Sequence, residues 1–200
     1  MTTRRAQQRV APVRCDWAAS DSIYQNYHDK EWGVPSFDDR HLFEMLNLEG
    51  AQAGLSWITI LKKRDGYRRA FDDFDPEKVA RYGARKVASL LADTGIVRNR
   101  LKIAATIGNA KAYLALRESG RTLAEVVREP YGGRQRTNRF RTMRDIPART
   151  PESDLLSKEL KKLGFKFVGS TIVYAYLQAV GCVNDHLVAC FRHREIARAE

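Results

Sequence analysis

The sequence predicts one all-α domain, and three observations support that prediction. Apolar residues recur at helical spacing in one segment after another, residues that favour helix starts precede many of these segments, and no stretch alternates apolar and polar residues as a strand would. The 200 residues suffice for one domain with a substantial core. We therefore assign residues 13–200 to a single domain and residues 1–12, which are polar and arginine-rich, to a disordered basic tail.

The predicted helices follow one another and together form a helical bundle. Asp75-Pro76-Glu77 has the order preferred at a helix start, with a capping residue, a proline and an acidic first turn. Thr122 and Glu125 have the spacing of a capping box. In chain order, the predicted helices start near Asp21, Asp38, Ser56, Asp75, Arg85, Asn99, Thr122, Ser153, Ser170 and His186.

The stretch from Asp38 to Trp57 carries the residues that matter most for function. One face of its predicted helix is formed by Leu42, Leu46, Glu49 and Ala53. A carboxylate on an otherwise apolar face is costly unless it is paired, neutralised or directed into a cavity. Glu49 is therefore either a structural residue, which caps a helix or forms a salt bridge, or a functional carboxylate in a pocket.

The same stretch ends in a turn with an apolar residue at its tip. Gly54 permits backbone conformations that other residues resist, and Leu55 follows it directly. Ser56 can then cap a helix that begins at Trp57. A carboxylate, a flexible turn with an apolar tip and a large aromatic side chain therefore lie within nine residues.

The charge of the chain favours a polyanionic partner. The net charge is +11 and the isoelectric point is near 9.8, so nucleic acid is the first candidate and an anionic membrane surface the second. The most apolar run, Thr171 to Val180, is too short to span a bilayer, and no apolar segment follows Met1 as in a secretory signal. Three cysteines, an odd number, do not indicate a disulfide framework. We therefore expect a cytoplasmic protein without a membrane segment.

Two segments have the composition of phosphate-binding sites. In the first, residues 90–103, a helix ends, Gly95 turns the chain and a second helix begins. Such a turn presents backbone N–H groups to an anion. It resembles the helix-hairpin-helix of non-specific DNA binders, although Val97 stands where a second glycine is usual; an ordinary corner between two helices is the alternative. The basic residues near the start of the second helix are Arg98, Arg100 and Lys102.

The second segment is residues 129–149, which we call the arginine loop. It is rich in arginine, and its only carboxylates are Glu129 and Asp145. Gly132 and Gly133 favour a mobile loop. DNA contact and a solvated surface loop are equally compatible with this composition.

Two cysteines and two histidines from opposite ends of the chain form a candidate metal-binding set. Cys15 and His28 are separated by twelve residues, and His186 and Cys190 have the i, i+4 spacing that places side chains on one helix face. Together they make a Cys2His2 set suited to tetrahedral structural zinc if the termini meet. Cys182 also lies four residues from His186 and is the rival ligand. Buried cysteines and packed histidines without a metal are the alternative.

Six blocks of the sequence resemble the 3-methyladenine DNA glycosylase I family of bacterial base-excision repair enzymes. They occur in the same order as in the family and cover about residues 14 to 190. The blocks are RCDW at 14–17, YHDKEWGVP at 27–35, LFEMLNLEGAQAGLSWITILKKR at 42–64, GIVRNRLKI at 95–103, KKLGFKFVGSTI at 161–172 and VNDHLVAC at 183–190.

This resemblance implies a fold, an activity and partners. The implied fold is the helix-hairpin-helix glycosylase bundle, with its N- and C-terminal segments joined by one structural zinc. The implied activity is that of a monofunctional glycosylase, which flips an N3-alkylated adenine out of DNA and hydrolyses its N-glycosidic bond, the first step of base-excision repair. The partner is double-stranded DNA that contains alkylated adenine, and we expect a monomer.

The resemblance also assigns roles to residues of this sequence by their motif positions. The implied zinc ligands are Cys15, His28, His186 and Cys190, which leaves Cys182 out. The implied base-binding residues are Trp17, Tyr24, Tyr27, Glu49 and Trp57. The residues expected to contact DNA are Gln52, Gly54, Leu55, Gly95, Arg98, Arg100, Lys102 and Lys166.

The chemistry of a charged base explains this set of residues. Aromatic rings can sandwich a purine that N3-alkylation has made cationic, and Leu55 can enter the space that the base leaves. Glu49 can accept hydrogen bonds from the alkylated base. The helix-hairpin-helix superfamily usually places a catalytic aspartate beyond the hairpin, but residues 120–127 offer only Glu125, which the capping box already uses. Glu49 is therefore the candidate catalytic carboxylate, and whether it acts in catalysis or only in recognition stays open.

Two other classes of protein are compatible with parts of the sequence. A non-catalytic, zinc-stabilised binder of damaged or distorted DNA would have the same basic surface and aromatic pocket. A zinc hydrolase is disfavoured, because four protein ligands leave the metal no open position and the chain has no HExxH motif. Release of a free base distinguishes a glycosylase from a binder.

Overall fold

A computed structural model of the protein describes residues 12–19 and 21–198. The predicted basic tail, apart from Pro12, lies outside the described residues. The described residues are mostly helical, as predicted, with ten α-helices and two short strands. The helices are α1 Ser22–Lys30, α2 Asp39–Gln52, α3 Trp57–Ala70, α4 Pro76–Val79, α5 Ala84–Ala92, α6 Arg100–Glu118, α7 Leu123–Arg128, α8 Pro151–Lys162, α9 Ser170–Ala179 and α10 Phe191–Ala197, and the strands are β1 Arg136–Thr137 and β2 Val183–Asn184.

Local capping explains where most of the helices begin. The side chains of Asp21, Asp38, Asp75 and Asn99 accept hydrogen bonds from backbone N–H groups in the first turns of α1, α2, α4 and α6. The predicted capping box of Thr122 and Glu125 forms at the start of α7.

Two helix starts differ from the prediction in detail. Ser56 precedes α3 as predicted, but its hydroxyl is bonded to the Thr59 hydroxyl at 2.8 Å and makes no side-chain cap. Helix α8 begins at Pro151, two residues before the predicted start, because Thr150 and Ser153 form a capping box there.

The prediction of a last helix near His186 was wrong. Residues 185–190 are not helical, and the last described helix, α10, begins only at Phe191. Just before this segment, β2 pairs in parallel with β1, with Arg136 opposite Val183 and Thr137 opposite Asn184, and a turn follows at residues 188–189. Two-residue strands are too short to show alternation in a sequence, so the prediction of an entirely helical chain missed them.

The core is built around α2, which packs against α3, α6, α7 and α9. Every residue from Leu42 to Ala51 is buried, and three of them are polar or charged: Glu44, Asn47 and Glu49. None of the described helices is both long and apolar enough to cross a membrane.

Candidate functional site

A pocket of about 270 Å³ lies beside the C-terminal half of α2. The structure brings together all five residues that the sequence predicted to bind the base. The lining residues are Trp17, Tyr24, Tyr27, Trp32, Glu49, Gln52, Trp57, Met143, Ile146, Ala175 and Gln178.

The aromatic side chains of the pocket hold one another in place. Trp17 meets Tyr24 edge to face, with ring centroids 5.3 Å apart, and Tyr27 contacts Trp57 at 5.6 Å. The Tyr24 hydroxyl accepts a hydrogen bond from the backbone N–H of Ile58 at 3.0 Å, which fixes α1 against the start of α3. The pocket wall is therefore rigid and aromatic, and it suits a flat, electron-poor ring.

Glu49 is the carboxyl group of this pocket. It is 4% exposed, and its Oε2 atom has no hydrogen-bond partner among the described residues. Burial raises the pKa of Glu49 to about 8, because the ionised form loses its hydration. The pKa of Tyr27 also lies well above its ordinary value, through burial first and then through the negative charge of Glu49. A buried carboxyl oxygen without a partner is costly, and a ligand in the pocket can supply that partner.

The turn between α2 and α3, residues 53–56, is called the wedge loop. Gly54 has a φ of +76°, and no heavy atom lies within 4 Å of the position of a Cβ there. Its backbone conformation thus requires glycine although its surroundings leave room for a side chain. Leu55 is 41% exposed at the tip. An exposed leucine on a tight turn beside the pocket has the position that a wedge into DNA requires.

Lys102 supports the wedge loop. Its ammonium group donates hydrogen bonds to the carbonyl oxygens of Ala51 and Ala53, each at 2.7 Å. These bonds satisfy carbonyl groups at the end of α2 and join it to α6. Burial lowers the pKa of Lys102. Two of the three donors of this predicted phosphate contact are therefore bonded to protein carbonyls.

Helices α5 and α6 are joined by a turn, residues 93–99, that we call the hairpin turn. The predicted N–H donor of Gly95 bonds to the Asp93 carboxylate at 2.7 Å, and the Val97 N–H bonds to the Tyr67 hydroxyl at 3.2 Å. Within the described chain, the N–H groups of Ile96 and Arg98 have no such protein partner. The turn thus offers fewer free N–H groups than its sequence suggests.

The cationic side chains near this turn are available for contact. Arg98 and Arg100 are exposed, and neither pairs with a carboxylate within the described chain. Lys166 is also exposed, and its backbone is fixed by Asn109, whose Oδ1 accepts from the Lys166 N–H at 2.7 Å. Asn109 in turn donates to the Asn47 side chain of α2 at 3.0 Å.

Behind the aromatic pocket, four ligand atoms from the two ends of the chain converge. Cys15, His28, His186 and Cys190 are buried, and one ligand atom from each lies within 4.8 Å of the others. The His28 Nε2 atom is 3.2 Å from His186 Nδ1 and 3.4 Å from Cys190 Sγ, and Cys15 Sγ is 3.8 Å from His186 Nδ1. Tetrahedral zinc with ordinary bond lengths places its ligand atoms about 3.3–3.8 Å apart. These separations therefore suit a tetrahedral metal.

Neighbouring groups orient both imidazoles toward the centre of this cluster. His28 Nδ1 lies 2.8 Å from Asp29 Oδ1, and His186 Nε2 lies 2.9 Å from the Trp32 carbonyl oxygen. Such contacts fix the tautomer and leave His28 Nε2 and His186 Nδ1 free to bind a metal. Hydrogen bonds from Cys15 and from the two imidazoles lower the pKa of Cys190, which favours a thiolate ligand.

The cluster answers two questions that the sequence left open. Cys182 is not part of it, since its sulfur lies 3.9 Å from the Val127 carbonyl oxygen. His186 and Cys190 do meet, with His186 Nδ1 3.6 Å from Cys190 Sγ, although no helix connects them. The i, i+4 spacing therefore selected two residues that do meet, but for the wrong structural reason.

Several residues of the pocket were missed by sequence reasoning. Trp32 lines the pocket, contacts Trp17 at 5.1 Å and lies 4.6 Å from His186, so it joins the pocket to the Cys2His2 cluster. Its place in the matched block YHDKEWGVP was an available signal. Met143 and Ile146 come from the arginine loop and Gln178 from α9. They lie far along the chain from the other pocket residues, and no sequence pattern linked them to the pocket.

A larger recess of about 760 Å³ lies between α7 and α8, but its groups are already paired. Arg121 forms ion pairs there with Glu129 and Glu159, at 3.3 and 3.2 Å. The aromatic pocket, with its unpaired carboxyl oxygen, is the better candidate for a ligand site.

These features define a helical protein with an aromatic pocket, suited to a flat heterocycle, next to a buried carboxyl group. Residues 17–193 match the family described as methyladenine glycosylase. The chain belongs to this family, as the sequence resemblance indicated.

The chain covers nearly the whole length of two curated relatives. The chain is 51% identical to DNA-3-methyladenine glycosylase 1 of Escherichia coli K12, over 88% of this chain and 95% of that protein. It is 46% identical to DNA-3-methyladenine glycosylase of Haemophilus influenzae, over 89% of this chain and 96% of that protein.

Solved structures agree with the fold. A crystal structure of 3-methyladenine DNA glycosylase I with 51% identity superposes with a TM-score of 0.88, covering 90% of this chain and 98% of that one. The Staphylococcus aureus enzyme, solved to explain 3-methyladenine recognition, has 36% identity and a TM-score of 0.86, covering 89% of this chain and 95% of that one. The family members are hydrolases that act on N-glycosyl bonds.

Proposed function

We propose that this protein is a DNA-3-methyladenine glycosylase, which removes N3-alkylated adenine from DNA by hydrolysis of the N-glycosidic bond. The observation that carries this proposal is the buried, unpaired carboxyl oxygen of Glu49 inside an aromatic pocket. The relatives that share most of the chain bear the same activity in their names.

The geometry suits recognition of a base that has left the helix. A glycosylase must extrude its target nucleotide, stack the base and read its edge. The rings of Trp17, Tyr27 and Trp57 offer planes for stacking, and Glu49 Oε2 can accept a hydrogen bond from an exocyclic amine or ring N–H. Leu55 at the exposed tip of the wedge loop fills the space left in the duplex.

The substrate itself supplies much of the chemical activation. Alkylation at N3 places a positive charge on the base, so the base departs neutral and needs no general acid. The only acidic group of residues 120–127, Glu125, is exposed and bonded in its capping box. We propose that Glu49 acts mainly by recognising the base, and that its negative charge, when formed, stabilises the sugar cation as a secondary effect.

We propose that the hairpin turn and the wedge loop hold DNA without reading its sequence. Arg98, Arg100 and Lys166 are exposed cations suited to phosphate contacts, and the free N–H groups of the hairpin turn add to them. Lys102 acts mainly by positioning the wedge loop through Ala51 and Ala53. Gln52 lies between the pocket and the wedge loop, where it can contact the DNA around the extruded nucleotide.

We propose that the Cys2His2 cluster binds one structural zinc. The separations of the four ligand atoms, the oriented imidazoles and the low pKa of Cys190 all fit that ion. A zinc held by four protein ligands has no open position, so its contribution is to join the two ends of the chain. Because Trp17 and Trp32 contact the histidines of the cluster, the metal also steadies the pocket wall.

One experiment tests the proposed reaction. The protein is incubated with methylated duplex DNA, and the released bases are separated by chromatography. We expect free 3-methyladenine together with abasic sites in the DNA. Binding of the damaged duplex without any released base would instead indicate a non-catalytic binder.

Two cysteine variants test the zinc. Cys190→Ala should lose most of the bound zinc, melt at a lower temperature and bind free 3-methyladenine more weakly. Cys182→Ala is the matched control, since Cys182 is also buried but lies outside the cluster. It should retain one zinc per chain by elemental analysis. Equal zinc content in the two variants would contradict the proposed site.

A further inference from the structure

The arginine loop lies at the opening of the base pocket. Gln52 and Trp57, which bracket the wedge loop, form one part of the pocket lining, and Met143 and Ile146 of the arginine loop form another. Met143 is 36% exposed, so it marks the edge where the pocket meets solvent. Met143 and Ile146 therefore place the arginine loop on the rim of the pocket, beside the path that a base from DNA would take.

Three arginines near Met143 form no ion pair within the described part of the chain. Arg139, Arg141 and Arg144 are exposed, and none of them forms an ion pair with any carboxylate of the described residues. Two other arginines of the loop are paired: Arg136 with Glu152 at 2.6 Å, and Arg149 with Asp154 at 3.9 Å.

The one acidic residue beside these three arginines is engaged with the backbone. The Asp145 carboxylate accepts hydrogen bonds from the N–H groups of Arg141 and Thr142, at 3.0 and 2.8 Å. These bonds lower the pKa of Asp145 and hold the short turn that carries Met143. Asp145 therefore stays ionised, and the three arginines with this one carboxylate leave the stretch with a net charge of +2, which a bound polyanion would neutralise.

The loop is held in place by the C-terminal segment. The Arg136 N–H donates to the Cys182 carbonyl at 3.0 Å, the Asn138 N–H to the Asn184 carbonyl at 3.1 Å, and the Val188 N–H to the Phe140 carbonyl at 2.9 Å. The arginines are therefore presented on a fixed backbone rather than on a free loop. A fixed cationic surface loses less conformational freedom when it binds an anion.

We propose that Arg139, Arg141 and Arg144 bind backbone phosphates of the DNA strand that carries the extruded base. This proposal rests on the proposed function, since it requires that DNA lie over the pocket. A nucleotide whose base enters the pocket brings its own phosphates to the opening, where Met143 and its neighbouring arginines lie. The surface forms a second phosphate contact, across the opening from the wedge loop.

A basic recess extends this surface. Arg139 also lines a recess of about 500 Å³ together with His193, Arg194 and Arg198 of the C-terminal segment. Arg194 forms no ion pair with a carboxylate in the part of the chain that is described. The recess gives the strand a continuous path of positive charge away from the pocket.

The surface suits DNA better than a lipid membrane. Membrane-binding surfaces combine cations with exposed apolar side chains that enter the lipid. Met143 is the only large apolar side chain of residues 129–149 that is exposed, and it belongs to the pocket lining. The remaining cationic side chains match the phosphates of DNA and need no apolar layer.

The test compares two double variants that each remove two positive charges. Arg141→Ala/Arg144→Ala removes proposed contacts. The control, Arg81→Ala/Arg85→Ala, removes two exposed arginines, one just before α5 and one in its first turn, at the end of that helix away from the hairpin turn. Affinity for an undamaged duplex is measured by fluorescence anisotropy over a range of salt concentrations. Each lost phosphate contact should reduce the slope of log affinity against log salt by about 0.9.

We expect the loop variant to lose about 1.8 from that slope, and the control to change little. Binding of free 3-methyladenine, measured by calorimetry, should be unchanged in both variants, because neither alters a pocket side chain. Equal slopes in the two variants would overturn the proposal. So would a loss of binding to phosphatidylserine vesicles with DNA binding intact, which would assign the surface to membranes. Failure of the wild-type protein to release 3-methyladenine would contradict the proposed function instead, and it would leave the slope comparison to decide the phosphate contact.

Discussion

Helix α2 carries two buried glutamates five residues apart, and their surroundings are opposite. Glu44 accepts hydrogen bonds from Arg64 and Arg68, each at 2.8 Å, and Arg64 also pairs with Glu31 at 2.6 Å. Glu49 has an oxygen without any partner among the described residues. Burial alone would raise the pKa of Glu44, but the two arginines hold it below its ordinary value. At Glu49, by contrast, burial raises the pKa to about 8.

This difference distinguishes a buried carboxylate that stabilises the fold from a buried carboxyl group that is available to a ligand. At Glu44 the protein satisfies a buried carboxylate with its own arginines, so the site has no capacity left for a ligand. At Glu49 no protein group among the described residues bonds to the free oxygen, and aromatic rings surround the carboxyl group. A buried carboxyl group thus indicates a binding site only when its partners are missing.

Removal of the Glu44 charge should produce the largest effect on stability. Glu44→Gln leaves the buried Arg64 with only the partly exposed Glu31 as a charged partner. Breaking one side of a buried ion pair costs about 3–5 kcal/mol. We expect a loss of about this size in the free energy of unfolding, measured by chemical denaturation. A change no larger than that of Glu118→Gln, an exposed control, would show that the cluster is not structural.

The second prediction concerns the pH dependence that Glu49 imposes on stability. Below about pH 4.5 the carboxyl group is protonated in both the folded and the unfolded chain, so it has no effect. As the pH rises from there to about 8, the unfolded chain ionises while the folded chain resists, and stability falls. Above about pH 8 both forms are ionised and the loss is complete.

Glu49→Gln should abolish this dependence. A shift of the Glu49 pKa from 4.5 to about 8, at roughly 1.4 kcal/mol per unit of pKa, sets an upper bound of about 5 kcal/mol on this loss. The variant should therefore be more stable than the wild type at high pH and similar to it near pH 4.5. Denaturation at several pH values measures the difference, with Glu118→Gln as the reference. A variant that is less stable at every pH would mean that Glu49 has an unrecognised partner.

The contrast between the glutamates also shows what the sequence could and could not predict. Helix starts were predictable because capping is local: Asp75 and Asn99 act on backbone groups two or three residues away. The unusual position of Glu49 was visible in the helical pattern. That Glu44 is paired was not, because Arg64 and Arg68 meet it only when α3 folds back along α2.

The remaining differences have the same physical origin. The strands β1 and β2 lie far apart in the chain, and two residues carry no alternation to detect. Lys102 was predicted to contact phosphates, and its bonds to Ala51 and Ala53 depend on the antiparallel packing of α2 and α6. Met143 reaches the pocket through the pairing of the arginine loop with the C-terminal segment. Each depends on tertiary contacts that no local pattern encodes.

The third prediction concerns catalysis and has a smaller expected effect. If Glu49 mainly recognises the base, Glu49→Gln should weaken binding of free 3-methyladenine about tenfold, or about 1.4 kcal/mol, because the amide replaces one acceptor oxygen by a donor. Excision from alkylated DNA in single turnovers should fall by a similar factor, since the leaving group is already activated. A rate lower by orders of magnitude with intact base binding, a loss of about 3 kcal/mol or more, would make Glu49 a catalytic group.

The last prediction follows the proton of Glu49 itself. With a pKa of about 8, most of the Glu49 carboxyl groups of the free protein are protonated at neutral pH. A base that donates hydrogen bonds to Glu49 favours the carboxylate, so binding should release up to one proton. The heat of binding of 3-methyladenine should then vary with the ionisation enthalpy of the buffer, and the slope counts the protons. The release should vanish above about pH 9, where Glu49 is already ionised, and in Glu49→Gln at any pH. No release at neutral pH would mean that the carboxyl group stays protonated and donates to the base. Glu44 offers no such signal, because its arginines keep it ionised whether or not the pocket is filled.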